Sequence, residues 1–155
     1  MTPTPEELRD WSAEKVMGWW LKESIDEYGN KTGEWYSGDE YTGYDKYYIH
    51  SDGEDVSNDL TWLWRPDTDL NQVFMVVERM RELGWYLYCE PEPNMTFPNY
   101  KKAAIIYEIG FYHPENMKLE LKPSRGFVMY DRINAHAILL AAHATGEGQG
   151  EKSCK

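Results

Sequence analysis

The chain has 155 residues, 41% of them hydrophobic, and a net charge of −11. This length suits one domain with a core of its own. No apolar run approaches the roughly 18 residues of a membrane span, so a membrane protein is excluded. Residues 1–7 are acidic rather than apolar and do not resemble a secretory signal.

The two cysteines indicate a reducing compartment. Cys89 lies in an apolar run that reads as a buried strand, and Cys154 is next to the last residue of a Gly-rich tail. Because a core thiol and a tail thiol seldom pair, we expect no disulfide and a cytoplasmic location.

The acidic residues are concentrated in residues 22–58, which hold ten acids and three bases, a net charge of −7. Such a charge excludes direct binding to a nucleic-acid backbone, which needs a basic face. The acidic segment favours either a basic protein surface or no charged partner at all. Six of the 12 tyrosines lie in residues 28–48. They are interpreted either as cover for a small core or as a contact surface, in which Tyr44 and Tyr48 are candidate binding residues.

The first half of the chain predicts one helix followed by strands. Thr4 is suited to cap a helix that runs to about Trp20, with Pro5 in its first turn and Glu7 completing a capping box. Repeated glycines in 22–58 predict hairpins and turns, and this segment reads as an acidic insertion. A strand is predicted at Tyr44–His50, and a strand or an extended segment at Leu60–Trp64.

The second half predicts two helices and several strands. Leu70, Val73, Phe74, Val77, Met80 and Leu83 recur at helical spacing, and Gly84 suits the end of that helix. A strand at 85–90, a strand at Ala103–Tyr112, its hairpin partner Met117–Lys122 and an extended stretch Phe127–Tyr130 follow. The last helix is predicted from Asp131 to about Ala144, with Ile133, Ala137, Ile138 and Ala141 as its buried stripe. Gly146 ends it, so we expect a domain at 1–145 and a disordered tail at 146–155.

This order of elements predicts an α+β fold, in which three helices pack on an antiparallel sheet as a helix–sheet–helix sandwich. Three blocks of the sequence resemble the phage ABA sandwich domain, a family of small tailed-phage and prophage proteins. The blocks are Ala13–Trp19, then Arg65–Leu70 with Val76–Met80 and Gly84–Trp85, and finally Ala135–Ala142. The resemblance implies a phage-encoded protein in the cytoplasm of a bacterial host. It implies no activity, so no catalytic residue is carried over.

One cluster of bases is a candidate anion site. If Ala103–Tyr112 pairs with Met117–Lys122, then Lys101 and Lys102 approach Lys122 and Arg125 at one end of the sheet, where they could bind a small anionic ligand such as a phosphate. The alternative is that these bases merely keep strand edges and turns soluble.

Other chemical groups predict no site. His136 and His143 share a helix face but lack the further ligands of a zinc site. Cys89 reads as a core residue rather than a nucleophile. The run Asp52–Asp59 has the composition of a calcium loop without its spacing. We therefore expect no metal, no cofactor and no catalytic residues.

The sequence thus favours a small non-enzymatic accessory protein that binds a host protein or sequesters a small ligand, with counter-defence as a role. The alternatives are a cryptic nucleotide-processing enzyme, built on the basic cluster with His113 beside it, and an acidic DNA mimic. The 7 tryptophans also predict a homo-oligomer, because one of Trp19 and Trp20 needs a second chain or residues 22–58 to cover it.

Overall fold

In the computed structural model, residues 2–92, 106–114, 125–130 and 133–153 are described, and they form an α+β fold. The α+β class predicted from the sequence is confirmed, but the single sheet is wrong: the strands divide into two three-stranded antiparallel sheets. The elements are α1 (Pro5–Trp11), β1 (Trp20–Ile25), β2 (Lys31–Ser37), β3 (Glu40–Ile49), α2 (Leu70–Glu82), β4 (Tyr86–Glu92), β5 (Ile106–Tyr112), β6 (Arg125–Tyr130) and α3 (Ala135–Ser153).

The first helix begins with the predicted cap. The Thr4 side chain accepts a hydrogen bond from the Glu7 backbone N–H, and Pro5 occupies the first helical turn. The predicted helix to Trp20 is too long, since α1 gives way to one π-helical turn at Ser12–Val16. Gly18 then adopts a positive φ of 74°, which a residue without a Cβ tolerates, and the chain enters β1.

The acidic insertion is a regular sheet. Strands β1, β2 and β3 pair in that order, and we call them the N-terminal sheet. The β1–β2 turn is held by the Asp26 carboxylate, which accepts hydrogen bonds from the backbone N–H groups of Tyr28 and Asn30. Residues 22–58 therefore hold the predicted hairpins, and the predicted strand Tyr44–His50 is part of the longer β3.

Residues 60–64 are not a strand. Leu63 makes a single isolated bridge to Asp45 of β3, and no ladder extends from it. Trp62 is consequently half-exposed while Trp64 is buried, although two alternate residues of a strand would share a face.

The second helix forms where its periodicity predicts it. The Asp69 side chain caps its start by accepting from the Gln72 backbone N–H, and Gly84 follows its end with a φ of 98°. The buried stripe is rotated from the predicted one. Val73, Val76 and Met80 enter the core, whereas Leu70, Phe74 and Leu83 are exposed.

The second sheet, which we call the C-terminal sheet, has the order β4–β5–β6. Both edges of β5 are occupied, by β4 along residues 106–112 and by β6 along residues 107–111. The predicted hairpin pairing of this strand with Met117–Lys122 is therefore wrong for the described part of β5. The Met117–Lys122 segment itself lies outside the described residues.

The last helix starts later than predicted. The Asn134 side chain accepts a hydrogen bond from the Ala137 backbone N–H and so caps the helix, while Asp131 lies outside the described residues. Ile133 precedes the helix and is exposed, so its predicted place in the buried stripe is wrong. The helix continues past Gly146 as far as Ser153, and the division into a domain at 1–145 and a disordered tail stays a prediction.

One core joins the helices and both sheets. It contains Leu8 of α1, Trp35 of β2, Met80 of α2, Phe111 of β5 and Ile138 of α3, all almost fully buried. Helix α3 packs against β5, β6 and α2. The N-terminal sheet contributes Trp35 on one face of β2 and leaves the opposite face uncovered within the described chain.

Candidate functional site

The two predicted binding tyrosines have different surroundings. Tyr44 packs between Trp19, whose ring centroid is 5.9 Å away, and Trp64, at 5.2 Å. Its hydroxyl contacts the Met75 Sδ atom at 3.4 Å. Tyr44 therefore packs against the core, as in the interpretation of the tyrosines as cover for a small core. Tyr48 is half-buried on β3, where its ring lies edge-on to His50.

The predicted anion cluster is not assembled among the described residues. Lys101, Lys102 and Lys122 lie outside them. Arg125 begins β6, and its backbone lies opposite Phe111 rather than at the predicted hairpin end. The His113 ring packs edge-on against Trp85 at 5.5 Å. The anion site stays a prediction, and its postulated pairing is replaced by the β5–β6 ladder.

The other chemical candidates hold local structure. Cys89, expected in the core, is exposed on β4, the strand at one edge of the described C-terminal sheet. Within residues 52–59 the carboxylates serve the turn: Asp52 accepts from the Glu54 N–H, and Asp55 accepts from the Ser57 N–H. Hydrogen bonds from the Ser57 hydroxyl and from its backbone N–H lower the pKa of Asp55 below its ordinary value. Among the described side chains, no group of three or more His, Cys, Asp or Glu residues could hold a metal ion.

The feature that stands out is a row of aromatic rings on the uncovered side of the N-terminal sheet. Trp20 of β1, Tyr36 of β2 and Tyr41 of β3 are direct cross-strand partners. Their ring centroids are 5.2 Å apart for Trp20 and Tyr36, and 5.7 Å apart for Tyr36 and Tyr41. Trp62 is linked to this row through Asp45, because its indole N–H and the Tyr41 hydroxyl donate to the same carboxylate. We call these four residues the aromatic face.

Three rings of the aromatic face, those of Trp20, Tyr41 and Trp62, are fixed by hydrogen bonds at their polar ends. Trp20 donates from Nε1 to the Gly38 carbonyl oxygen at 2.7 Å. Tyr41 and Trp62 both donate to the Asp45 carboxylate, at 2.5 and 2.8 Å. Asp45 itself is buried. Its backbone N–H donates to the Trp62 carbonyl oxygen, and its carbonyl oxygen accepts from the Trp64 N–H, so the two hydrogen bonds flank Leu63. Since the polar atoms of these three side chains are satisfied internally, what they offer to solvent is apolar surface.

Exposure of these rings is substantial. Trp20 and Trp62 are 46% and 45% exposed, and Tyr41 is 43% exposed. Large aromatic rings that are exposed, in mutual contact and held in place are typical of protein contact surfaces. Burial and the hydrogen bond to Asp45 raise the pKa of Tyr41 above its ordinary value, so its phenol is neutral at physiological pH.

The charged residues around the aromatic face are mainly acidic, and one base, Lys22, contacts a ring of the face. The Lys22 ammonium lies over the Tyr36 ring, 5.2 Å from its centroid. Glu34 lies opposite Lys22 on β2, Asp39 follows in the β2–β3 turn, and Glu40 begins β3. The face thus already accommodates a cation on one ring, in a neighbourhood where acids outnumber bases.

Sequence reasoning could have found part of this face. Trp19–Trp20 and Trp35–Tyr36 each place one aromatic residue in the core and the next outside, because successive residues of a strand point to opposite faces. What the sequence could not give is the register, since the match of Trp20 with Tyr36 and Tyr41 depends on two turns and on bulges in the β2–β3 ladder.

Comparison of the chain with protein-family models, with curated proteins and with solved structures finds no match. The resemblance to the phage ABA sandwich domain therefore stays a prediction. Of the helices in the described part of the chain, none is both long enough and apolar enough to cross a membrane.

Proposed function

We propose that this protein is a non-enzymatic binding protein whose aromatic face takes a basic segment of another protein. The observation that carries the proposal is the cross-strand row of aromatic rings on the N-terminal sheet, in which Trp20 and Tyr41 are exposed and held by hydrogen bonds on either side of Tyr36. Rings fixed in this way lose little conformational entropy on binding, which is why tryptophan and tyrosine dominate the energetics of contact surfaces.

The area available on these rings is enough for a specific interaction. A buried tryptophan removes roughly 200 Å² from water, and about half of that remains exposed on Trp20 and on Trp62. At about 25 cal/mol per Å², covering each indole contributes about 2–3 kcal/mol before the cost of association. Two indoles at one face supply the central anchors that a binding surface needs.

Charge complementarity selects the partner. Residues 22–58 carry a net charge of −7 and include every strand of the N-terminal sheet beyond Leu21. Arginine and lysine side chains make two favourable interactions at this face. They are attracted by the acids around it, and they stack on the ring faces, as Lys22 does on Tyr36. A second copy of this acidic chain would bring mainly carboxylates to the face and would make neither interaction.

The biological setting is proposed on the resemblance alone. If the chain is a phage protein, its partner is a protein of the bacterial cytoplasm and a counter-defence role follows. The acidic DNA mimic stays an alternative, because residues 22–58 form an ordered sheet rather than the loop that would have removed it. In both alternatives, the basic groups of the partner lie against the N-terminal sheet.

The test is a binding titration with a defined basic probe. We expect a fluorescein-labelled peptide of alternating arginine and glycine to bind the full chain in an anisotropy titration, and a glutamate–glycine counterpart not to bind. Trp20→Ala and Trp62→Ala should each weaken arginine-peptide binding about tenfold or more, which corresponds to about 1.4 kcal/mol.

Phe74→Ala is the matched control, because Phe74 is 47% exposed but lies on α2. Its affinity for the peptide should equal that of the unchanged chain. Equal weakening by all three substitutions, or none by Trp20→Ala and Trp62→Ala, would show that the peptide binds through net charge alone and that the aromatic face is not the site.

A further inference from the structure

Strand β1 forms one edge of the N-terminal sheet. It pairs with β2 along residues 20–25, and among the described residues no strand pairs with its other side. An edge strand of this kind presents a row of backbone N–H and C=O groups to which another extended chain can bind. The open edge is 6 residues long, which corresponds to about 20 Å of strand.

The hydrogen bonds at the two ends of β1 show which of its residues face the open edge. After the strand, the Asp26 N–H donates to the Asn30 carbonyl oxygen, on the side of β2. Before it, the Trp19 N–H donates to the Ala13 carbonyl oxygen, outside the sheet. Because alternate residues of a strand direct their backbone groups to opposite sides, the odd-numbered residues of β1 share the direction of Trp19. The residues with backbone groups at the open edge are Leu21, Glu23 and Ile25.

Strand β1 lacks the devices that usually close a sheet edge. Its register with β2 is unbroken, so no bulge twists the edge away, and its sequence contains no proline. The ammonium of its lysine, Lys22, lies over the Tyr36 ring of β2, and Glu34 of β2 lies opposite this lysine. The lysine charge is therefore directed toward the sheet and does not block the edge.

A second copy of this chain is a poor occupant of the edge. Two β1 strands related by a two-fold axis pair antiparallel, and residues that lie opposite each other are then on the same face. The two registers that match most of β1 place Lys22 opposite Lys22, or Glu23 opposite Glu23. Like charges directly opposite each other destabilise a strand pair. A basic segment is instead attracted, because residues 22–58 carry a net charge of −7.

We propose that the basic segment bound by the aromatic face lies extended along β1 and adds to the N-terminal sheet as a fourth, antiparallel strand. This mode of binding rests on the proposed function, because Trp20 belongs both to β1 and to the aromatic face. Basic side chains at alternate positions of the segment lie on the side of Trp20. The backbone hydrogen bonds supply affinity, and the rings and acids select the side chains.

The pairing determines which backbone groups of the segment face β1. In an antiparallel pair, residues that exchange hydrogen bonds lie directly opposite each other, so their side chains are on the same face. Leu21, Glu23 and Ile25 lie on the face away from Trp20, since neighbours on a strand point to opposite faces. When the arginines of the arginine–glycine peptide lie on the aromatic face, its glycines therefore donate to β1 and its arginine N–H groups point to solvent.

The experiment compares two N-methylated forms of that peptide in the anisotropy titration with the full chain. Methylation of the glycine nitrogens should weaken binding about tenfold or more, because it removes the donors to β1 and places methyl groups against the edge. Methylation of the arginine backbone nitrogens adds the same groups on the solvent side and should change the affinity by less than about twofold. Equal affinities of the two methylated peptides, or the reverse order, would overturn the added strand.

A substitution in β1 tests the edge from the side of the protein. Ile25→Pro removes an N–H from the open edge but none from the β1–β2 ladder, and an edge strand tolerates proline. It should weaken binding of the unmodified peptide about tenfold, whereas Ile25→Val, which keeps the N–H, should leave it unchanged. Unchanged binding by an Ile25→Pro variant with native circular dichroism would contradict the proposal. If its circular dichroism shows lost structure, the two methylated peptides decide.

The outcomes separate the added strand from the proposed function. Binding that depends on Trp20 but not on which nitrogens are methylated would leave the aromatic face as the site and remove the added strand. Failure of the unmodified peptide to bind would overturn both proposals. Self-association at low salt that Ile25→Pro abolishes would assign the edge to a second copy and would also overturn the added strand.

Discussion

Two tyrosines of β3 donate hydrogen bonds to carboxylates from opposite sides of the N-terminal sheet. Tyr41 donates to Asp45, and Tyr47 donates to Glu23 Oε2 at 2.6 Å. The Tyr47 ring lies across Gly33, where an added Cβ would come within 2.5 Å of the ring. A glycine on β2 therefore allows the ring of β3 to reach a carboxylate on β1, and one side chain ties all three strands together.

The Tyr47 contact gives a pH-dependent prediction. Burial, then the hydrogen bond to Glu23, raises the pKa of Tyr47 from 10.0 to about 12. A pKa that is higher in the folded chain means that the neutral phenol stabilises the fold. That contribution is complete below the unfolded pKa of about 10 and is lost as pH rises through about 12.

Ultraviolet absorbance of tyrosinate measures this titration. Glu23→Gln should lower the pKa of Tyr47, because it removes the negative charge that opposes phenol ionisation, and Tyr47→Phe should remove the step near pH 12 from the curve. A curve left unchanged by Tyr47→Phe would contradict the assignment.

The helices were the elements that the sequence predicted best, because their signals are local. The predicted Thr4 cap is present and lies three residues from the N–H group that it binds, and Asp69 caps α2 over the same separation. The helix spacing of α2 was recognised, but its buried stripe was misplaced, since Val76 rather than Phe74 faces the core. Periodicity predicts that a helix forms, whereas the face that it buries depends on the elements that pack against it.

The strands and the sites depend on distant residues and could be predicted only in part. The glycines of 22–58 indicated hairpins, yet the neighbours of β5 were misassigned because β6 follows a segment whose pairing the sequence does not determine. Asp10 and Lys46 meet from 36 positions apart, and Trp20 and Tyr41 belong to opposite edges of a sheet. No spacing rule connects such pairs before the register is known.

The Arg9–Asp67 pair supports a prediction about how α1 is attached. It joins α1 to the turn before α2, and the Asp67 side chain is only 4% exposed. Arg9→Ala leaves this carboxylate buried without its cation, so the free energy of unfolding should fall by about 2–3 kcal/mol in urea denaturation.

Arg81→Ala is the comparison, because the Arg81–Glu78 pair lies on the surface of α2 with both side chains more than half exposed. Its effect should stay below about 0.5 kcal/mol. Equal losses for the two variants would mean that burial of Asp67 adds nothing to the pair.

At the scale of the whole molecule, the negative charge disfavours self-association, whereas the exposed aromatic surface favours it. The net charge is −11, and residues 22–58 hold −7 of it. Trp20 and Trp62 lie on or beside that segment and remain half-exposed, so the described chain does not bury every tryptophan within one copy. The homo-oligomer predicted from the tryptophans therefore stays a prediction, and the structure gives it a definite dependence on salt.

Two copies that meet through the aromatic face bring two segments of like charge together, and a basic partner brings opposite charges together. Salt screens both interactions, with a Debye length that falls from about 14 Å at 50 mM to about 4 Å at 500 mM. Self-association should therefore strengthen with NaCl while arginine-peptide binding weakens. We expect light scattering to give the single-chain mass of 18.2 kDa at low salt and a larger mass only at high salt. Trp20→Ala should abolish that increase and Phe74→Ala should preserve it, whereas a salt-independent dimer would place the self-contact on another surface.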